Sequence, residues 1–360
     1  MKTARVLIAG MGYAGSRFLS ALRSLDGPDG VGARLEFAYH ARHRTREDIP
    51  YFGSLPQALR DFAPDLVIVA VTDSAHAEIL TALDGYRGFV LAEKPLTSRQ
   101  DDLAAVASAL RHTSGFAMDL VERHSDVTMA LRDYAGRHEL RLVRAHATWG
   151  KDRINDHRPT VGVTSEVIHS LDLLRLIGPR DHAVEPVDVI GVASDFSVSG
   201  PEVLDSVALT ASLGGAPVTV YSSFTNITRQ RTVDCTFRAP DDSLVHATAV
   251  YDTPVWDADR LRIWRRTDAG EQTLSVVDTR EDPVPQELRG IVKLRRLVAD
   301  ALRFVVHGTD PLVGFAGLDE SIALQRLLNR IEDMARVAGP ARYFPHGRTV
   351  ATEVDWERLG

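Results

Sequence analysis

Three groups of residues in this 360-residue chain have the makings of a reaction site. The first is Gly10-Met11-Gly12-Tyr13-Ala14-Gly15, a G-x-G-x-x-G hexamer that directly follows an apolar run at residues 6–9. Glycines at those positions allow a tight turn and let a pyrophosphate approach backbone N–H groups at the positive end of a helix. Its place between a strand pattern and a helix pattern marks it as a dinucleotide cradle. The second is Glu93-Lys94-Pro95, which closes the apolar run 89–92. Strand ends in an open parallel sheet face the ligand crevice, so Lys94 is expected to point toward a nicotinamide, its direction fixed by the rigid Pro95. The third is a helical stretch at 162–179, closed by Gly178 and Pro179, that sets Glu166, His169 and Asp172 along one broad side at i, i+3 and i+6. Three ionisable groups among Val, Ile and Leu would be costly in a dry core, which points to a site.

The adenosine end of the dinucleotide is legible as well. An NAD enzyme places Asp or Glu near the end of its second strand, about 20 residues past the loop, to bind the ribose hydroxyls. Here the strand pattern at 35–39 is followed by Arg42, His43, Arg44 and Arg46, with no acid at its end. A guanidinium pairs bidentately with a 2′-phosphate, so NADP(H) is favoured over NAD(H).

The elements that must position these groups alternate along the first 120 residues. Strand patterns at 6–9, 35–39, 66–71 and 89–92 are separated by helix patterns at 16–25, 54–62 and 75–83, the second opened by the capping pair Ser54 and Gln57. Strands apolar on both faces, alternating with helices, describe a doubly wound parallel sheet. The second half differs. Runs rich in Val, Thr and aromatics at 140–149, 187–196, 207–224, 232–238, 244–251 and 260–264 are joined in part by short links, which require antiparallel pairing. Two helices follow, at 286–307 and 318–338. The fold class is therefore α/β: an N-terminal Rossmann doubly wound domain over residues 1–120, then an α+β domain over 121–360 with a large, open, mostly antiparallel sheet.

Composition narrows the function. Apolar residues make up 44% and charged residues 25%, as in an ordinary globular chain. With 42 basic and 49 acidic side chains the net charge is −7, which offers no general field for nucleic acid or an anionic membrane. No apolar run reaches the ~18 residues of a membrane span. The single cysteine, Cys235, excludes a disulfide framework and a Cys-cluster zinc site, and no metal is expected. The apolar run before Gly10, residues 6–9, is too short for a signal peptide, so a cytoplasmic location is expected.

Taken together, Gly10 to Gly15, the segment Val71-Thr72-Asp73-Ser74-Ala75-His76-Ala77-Glu78, Glu93-Lys94-Pro95 and the helix carrying His169 and Asp172-Leu173-Leu174 resemble the Gfo/Idh/MocA family of nicotinamide-dependent oxidoreductases. The resemblance implies that Thr72, Asp73 and His76 line the cofactor cleft with Glu93, that Lys94 holds the reacting oxygen, and that His169 relays the proton. It implies a CH–OH/C=O oxidoreductase on a sugar-, cyclitol- or polyol-like substrate, and the NADP(H) preference read above suggests that it runs as a ketone reductase. Too few helices follow the second sheet to cover both its faces, so an exposed apolar face is expected to mediate self-association, and the resemblance points the same way, to a homodimer or homotetramer. Glu166 or Asp172 is expected to orient His169. Two positions depart from the family pattern: Ser165 stands where many members carry an acid, and Asp73 where Asn is usual. Arg123, Trp149, Lys151, Arg153 and Ser165 are candidate substrate contacts, the basic ones suited to an anionic substrate. Imine reduction on the same scaffold and a non-catalytic NADP-binding regulator are the alternatives.

Overall fold

A computed structural model of the chain describes residues 2–152, 160–179, 182–196, 199–200 and 202–342. They divide into two units, Met1–Val121 with Val284–Gln325, and Glu122–Pro283 with Arg326–Gly360. Among the described residues, no helix is long and apolar enough to cross a membrane.

The first unit is built on six parallel strands: β1 (Lys2–Ala9), β2 (Ala33–His40), β3 (Tyr51–Phe52), β4 (Leu66–Val69), β5 (Phe89–Ala92) and β6 (Gly115–Met118). Their order is β3-β2-β1-β4-β5-β6, so the strand order reverses between β1 and β4, where such sheets open their ligand crevice. The connecting helices are α1 (Tyr13–Arg23), α2 (Leu55–Asp61), α3 (His76–Thr81) and α4 (Leu103–Leu110). Ser54 caps α2 by accepting from the Gln57 N–H, as its capping pair predicts.

The second unit begins with α5 (Asp126–Arg137), β7 (Arg141–Asp152) and α6 (Thr164–Ile177). Seven strands follow: β8 (Val184–Ser194), β9 (Leu204–Leu213), β10 (Ala216–Ser223), β11 (Thr225–Arg238), β12 (Leu244–Val250), β13 (Arg260–Thr267) and β14 (Gly270–Asp278). After α7 (Val292–His307) and α8 (Leu318–Met334), β15 (Arg336–Ala341) completes a nine-stranded sheet in the order β14-β13-β12-β11-β7-β10-β9-β8-β15. Most neighbours are antiparallel; β7 with β10 and β8 with β15 are parallel. The β9–β10 hairpin turns on Gly214 and Gly215, at φ +57° and +84°, the left-handed pair that a two-residue turn requires.

The structure differs from the sequence expectations at several points: the 207–224 run breaks into β9 and β10, and α4, β6 and α5 lie outside the expected ranges. The helix expected over 318–338 ends at Met334, and 336–341 form an edge strand instead. The 270–278 strand escapes the pattern because its residues are mostly exposed and polar. The face of the second sheet turned away from α6 is not broadly apolar. It carries a polar lattice in which His146 bonds Thr219 at 2.8 Å, His246 bonds Thr236 at 3.1 Å and Thr248 bonds Asp234 at 2.6 Å.

The first unit is discontinuous because α7 packs on it. Leu294, Leu297, Val298, Ala301 and Leu302 join Phe18, Leu22, Leu25 and Phe89 in one buried core. Polar ties reinforce that packing: Arg295 Nε donates to Ser24 Oγ at 3.0 Å, and His307 Nε2 meets the Val31 carbonyl at 2.9 Å. Leu302 is fully buried in this core. Leu302→Ala is expected to destabilise the protein by about 2–5 kcal/mol, measured by denaturant unfolding.

Candidate functional site

In the first unit the candidate residues sit on the chain segments leaving four neighbouring strands. The glycine loop leaves β1. Gly10 adopts φ +98°, and a Cβ there would lie 2.5 Å from the Ala70 carbonyl oxygen at the end of β4. A Cβ on Gly15 would lie 2.0 Å from the Gly10 carbonyl oxygen, so the first turn of α1 closes on its own loop only with glycine. Gly12 is the N-cap of α1; no side chain caps this helix, and its first turn holds no acid. Tyr13 is exposed, with the Arg17 guanidinium 5.5 Å from its ring centroid, and Ala14 is half-buried. This backbone fits a pyrophosphate.

The segment after β4 places Thr72 at the surface and Asp73 half-buried at the start of a short 3₁₀ turn, ahead of His76. His76 is buried, and its ring bridges the carbonyl oxygens of Pro95 (Nδ1, 2.6 Å) and Val71 (Nε2, 3.2 Å). That ring ties the loop leaving β4 to Glu93-Lys94-Pro95, which leaves β5. The Lys94 N–H donates to the Glu93 carboxylate at 3.2 Å, and Pro95 and Leu96 are buried behind it.

The basic loop after β2 is knitted by two tyrosines. The buried Tyr39 hydroxyl accepts from the N–H groups of Thr45 (2.8 Å) and Arg46 (2.9 Å), and Tyr51 donates to the Ala41 carbonyl at 3.2 Å. Arg42, His43 and Arg44 are exposed on it. Arg46 is committed to Asp48 at 2.9 Å, and Arg46 and then Arg23 hold that carboxyl well below the usual carboxylate range. Arg44 pairs with Glu47 at 2.6 Å, an exposed contact that costs little to exchange for a ligand phosphate.

The second unit gathers the remaining candidates on α6 and the strands beneath it, and corrects one expectation. His169 is 5% exposed, and its Nδ1 faces not Glu166 or Asp172 but Glu122 Oε2, at 2.8 Å. Glu122 stands on the turn Val121–His124. Glu166 instead accepts from Lys151 Nζ at 3.0 Å, and Asp172 accepts a two-pronged contact from the buried Arg123, whose Nε lies 2.8 Å away. The i, i+3 and i+6 spacing does put the three groups on one side of α6, but each turns to a different partner. Ser165 is buried and donates to the Gly162 carbonyl at 2.9 Å, a contact within the first turn of the helix. Trp149 is fully buried, and the His169 ring stacks on it with centroids 5.3 Å apart and 20° between planes. Its indole Nε1 has no hydrogen-bond partner among the described residues. Arg153 lies outside the described residues.

Beneath this stack lies Arg231, also fully buried. It pairs with Asp252 and approaches Glu122 Oε1 at 3.7 Å, and its guanidinium is 4.9 Å from the Trp149 ring centroid. Burial works against the Arg231 cation. The carboxylates of Asp252, Glu122 and Glu166 outweigh that penalty and hold its pKa above the ordinary value. Sequence reasoning missed Glu122, Arg231 and Asp252. One signal for Arg231 was present: it continues the inward register of Val233, Cys235 and Phe237 on β11, where an apolar residue belongs.

Residues 4–118 match the family model of the Gfo/Idh/MocA proteins, an oxidoreductase family with an NAD-binding Rossmann fold. That match spans the N-terminal third of the chain, the part that carries the parallel sheet. No curated protein matches the chain in sequence. Among solved structures, the fold is shared with a levoglucosan dehydrogenase in complex with NADH and levoglucosan, at TM-score 0.74 and 14% identity over 93% of this chain and 97% of that one. It is shared with myo-inositol 2-dehydrogenase from Lactobacillus plantarum, at TM-score 0.67 and 15% identity over 93% and 97%. A variant 3-ketoreductase from Actinomadura kijaniata, in complex with TDP-benzene and NADP, aligns at TM-score 0.66 and 15% identity over 96% and 100%. At these identities the likeness is one of fold.

Gly15→Ala tests the cradle directly. The added methyl has only backbone to displace. The variant is expected to lose about tenfold or more in nicotinamide-dinucleotide affinity, measured by quenching of cofactor fluorescence.

Proposed function

We propose that the chain is an NADP(H)-dependent oxidoreductase acting on a carbonyl or hydroxyl carbon of a sugar-, cyclitol- or polyol-like substrate, and that it works as a ketone reductase. The observation that carries this reading is the His169–Glu122 pair: a buried imidazole with one nitrogen occupied and the other unbonded among the described residues. A proton relay needs that arrangement, and a binding module does not.

Gly10, Gly12 and Gly15 hold the pyrophosphate, and Arg42, His43 and Arg44 hold a 2′-phosphate. Tyr13, Ala14, Thr72, Asp73, His76 and Glu93 complete the cofactor contacts. When bound, the nicotinamide supplies the hydride in reduction and takes it up in oxidation. Lys94, as a cation, stabilises the oxygen that gains negative charge at the substrate carbon. In reduction His169, protonated on both nitrogens, gives that oxygen its Nε2 proton and is left as the neutral ring with Nδ1–H toward Glu122; in oxidation the neutral ring takes the proton back on Nε2. Among the described residues, Arg123 and Lys151 are matched by Asp172 and Glu166, which favours an uncharged polyhydroxylated substrate over an anionic one. The levoglucosan and myo-inositol dehydrogenases that share the fold support the same substrate class.

Incubation with NADPH and panels of ketoses, inososes and cyclic imines, followed by absorbance loss, tests the reading; no turnover of any ketone would overturn it. NADPH is expected to bind more tightly than NADH. Arg42→Ala with Arg44→Ala should lower NADPH affinity selectively by about tenfold or more, the worth of charge-assisted contacts of ~1.5–3 kcal/mol. Lys94→Met is expected to keep NADPH affinity while kcat falls by about 10²-fold or more, as for loss of a contact to a developing oxyanion. Normal kcat in that variant would remove Lys94 from the chemistry.

A further inference from the structure

The two oxygens of Glu122 keep different company. Oε2 meets His169 Nδ1 at 2.8 Å, and Oε1 faces Arg231 Nη1 at 3.7 Å. Beside the Arg231 cation Glu122 is favoured as a carboxylate, which only accepts; on that argument Nδ1 carries the proton and Nε2 is the bare nitrogen of the neutral ring. The pose of Glu122 therefore decides the tautomer of His169, and Arg231 is a cation that faces its other oxygen as an ion pair at 3.7 Å, beyond hydrogen-bond reach.

Arg231 is itself held in place. It donates to Asp252, whose carboxylate also accepts from the Asp257 N–H at 2.9 Å. The Asp252 N–H donates in turn to Asp259 at 2.8 Å, and Asp259 accepts from Ser125 Oγ at 2.5 Å. The guanidinium lies over two indoles, 4.9 Å from the Trp149 centroid and 4.7 Å from that of Trp256. Trp149 is the ring on which His169 stacks, at 5.3 Å. Arg231 thus touches both groups that hold the imidazole, its carboxylate and its aromatic platform, without touching the imidazole.

We infer that Arg231 is a positioning residue that sets the tautomer of His169: it anchors Glu122 Oε1, and so delivers Oε2 to Nδ1 and leaves Nε2 to exchange protons. The carboxylates around the guanidinium keep it charged despite its burial. The inference rests on the proposed function for what Nε2 does in turnover, but not for which nitrogen bears the proton.

Glu122→Gln separates this from a merely structural contact. With Arg231 in place, the amide oxygen is expected to face the guanidinium, so that the NH₂ group faces Nδ1 and the proton moves to Nε2. Imidazole ¹⁵N shifts of the histidine-labelled protein, at a pH where the ring is neutral, are expected to show that exchange. Adding Arg231→Met to Glu122→Gln frees the amide to turn, and the proton is expected back on Nδ1. Retention of the Nδ1 proton in the single variant would overturn the inference, as would an Nε2 proton persisting in the folded double variant. If the double variant does not fold, the single variant decides alone. In turnover, Glu122→Gln is expected to lower kcat by about 10²-fold or more at unchanged NADPH affinity, as for other bases held in the wrong tautomer. Failure of the native protein to reduce any ketone would sink the proposed function and leave the tautomer measurement standing.

Discussion

A carboxylate taken out of water has to be matched by charge and hydrogen bonds, and the burial of Glu122 organises the second unit around that need. Its partners come from elsewhere: His169 from α6 and Arg231 from β11. Arg231 stands opposite Trp149 in the β11–β7 register, so the same strand pairing that supplies the cation supplies the ring under His169. Asp252 absorbs the rest of the guanidinium's charge. Removal of any one member leaves an uncompensated charge in a dry interior, which makes the cluster rigid and ties chemistry to folding.

The first unit answers to a different constraint, the closeness of backbones. The ends of β1 and β4 run so near each other that Gly10 has no room for a side chain, and α1 starts so near its own loop that Gly15 has none either. The same closeness exposes the first N–H groups of α1 to a ligand. His76 then joins the exits of β4 and β5 through two carbonyls, and so fixes the backbone from which Lys94 projects. Side chains are sparse here because the backbone leaves no room for them.

Charge pairing also bears on the substrate. Arg123 and Lys151 invite an anionic ligand when read as isolated residues. In the fold Asp172 and Glu166, two carboxylates of α6, neutralise them.

The sequence by itself determined what depends on local spacing. The glycine hexamer, the alternation of buried strands with helices and the Ser54 cap follow from backbone geometry within a few residues, and the structure shows each of them. Histidine at 169 on an apolar helix was legible as an anomaly for the same reason. What the tertiary structure decided was partnership. Helical spacing places Glu166, His169 and Asp172 on one side of α6, but rotamers and neighbours send each to a different element, and the carboxylate at His169 arrives from a turn 47 residues earlier. The return of α7 to the first unit is likewise invisible in its amphipathic pattern, since an apolar stripe states that a helix must be covered and not by what. Contacts between residues distant in sequence depend on the packing of whole elements, and no local pattern encodes them.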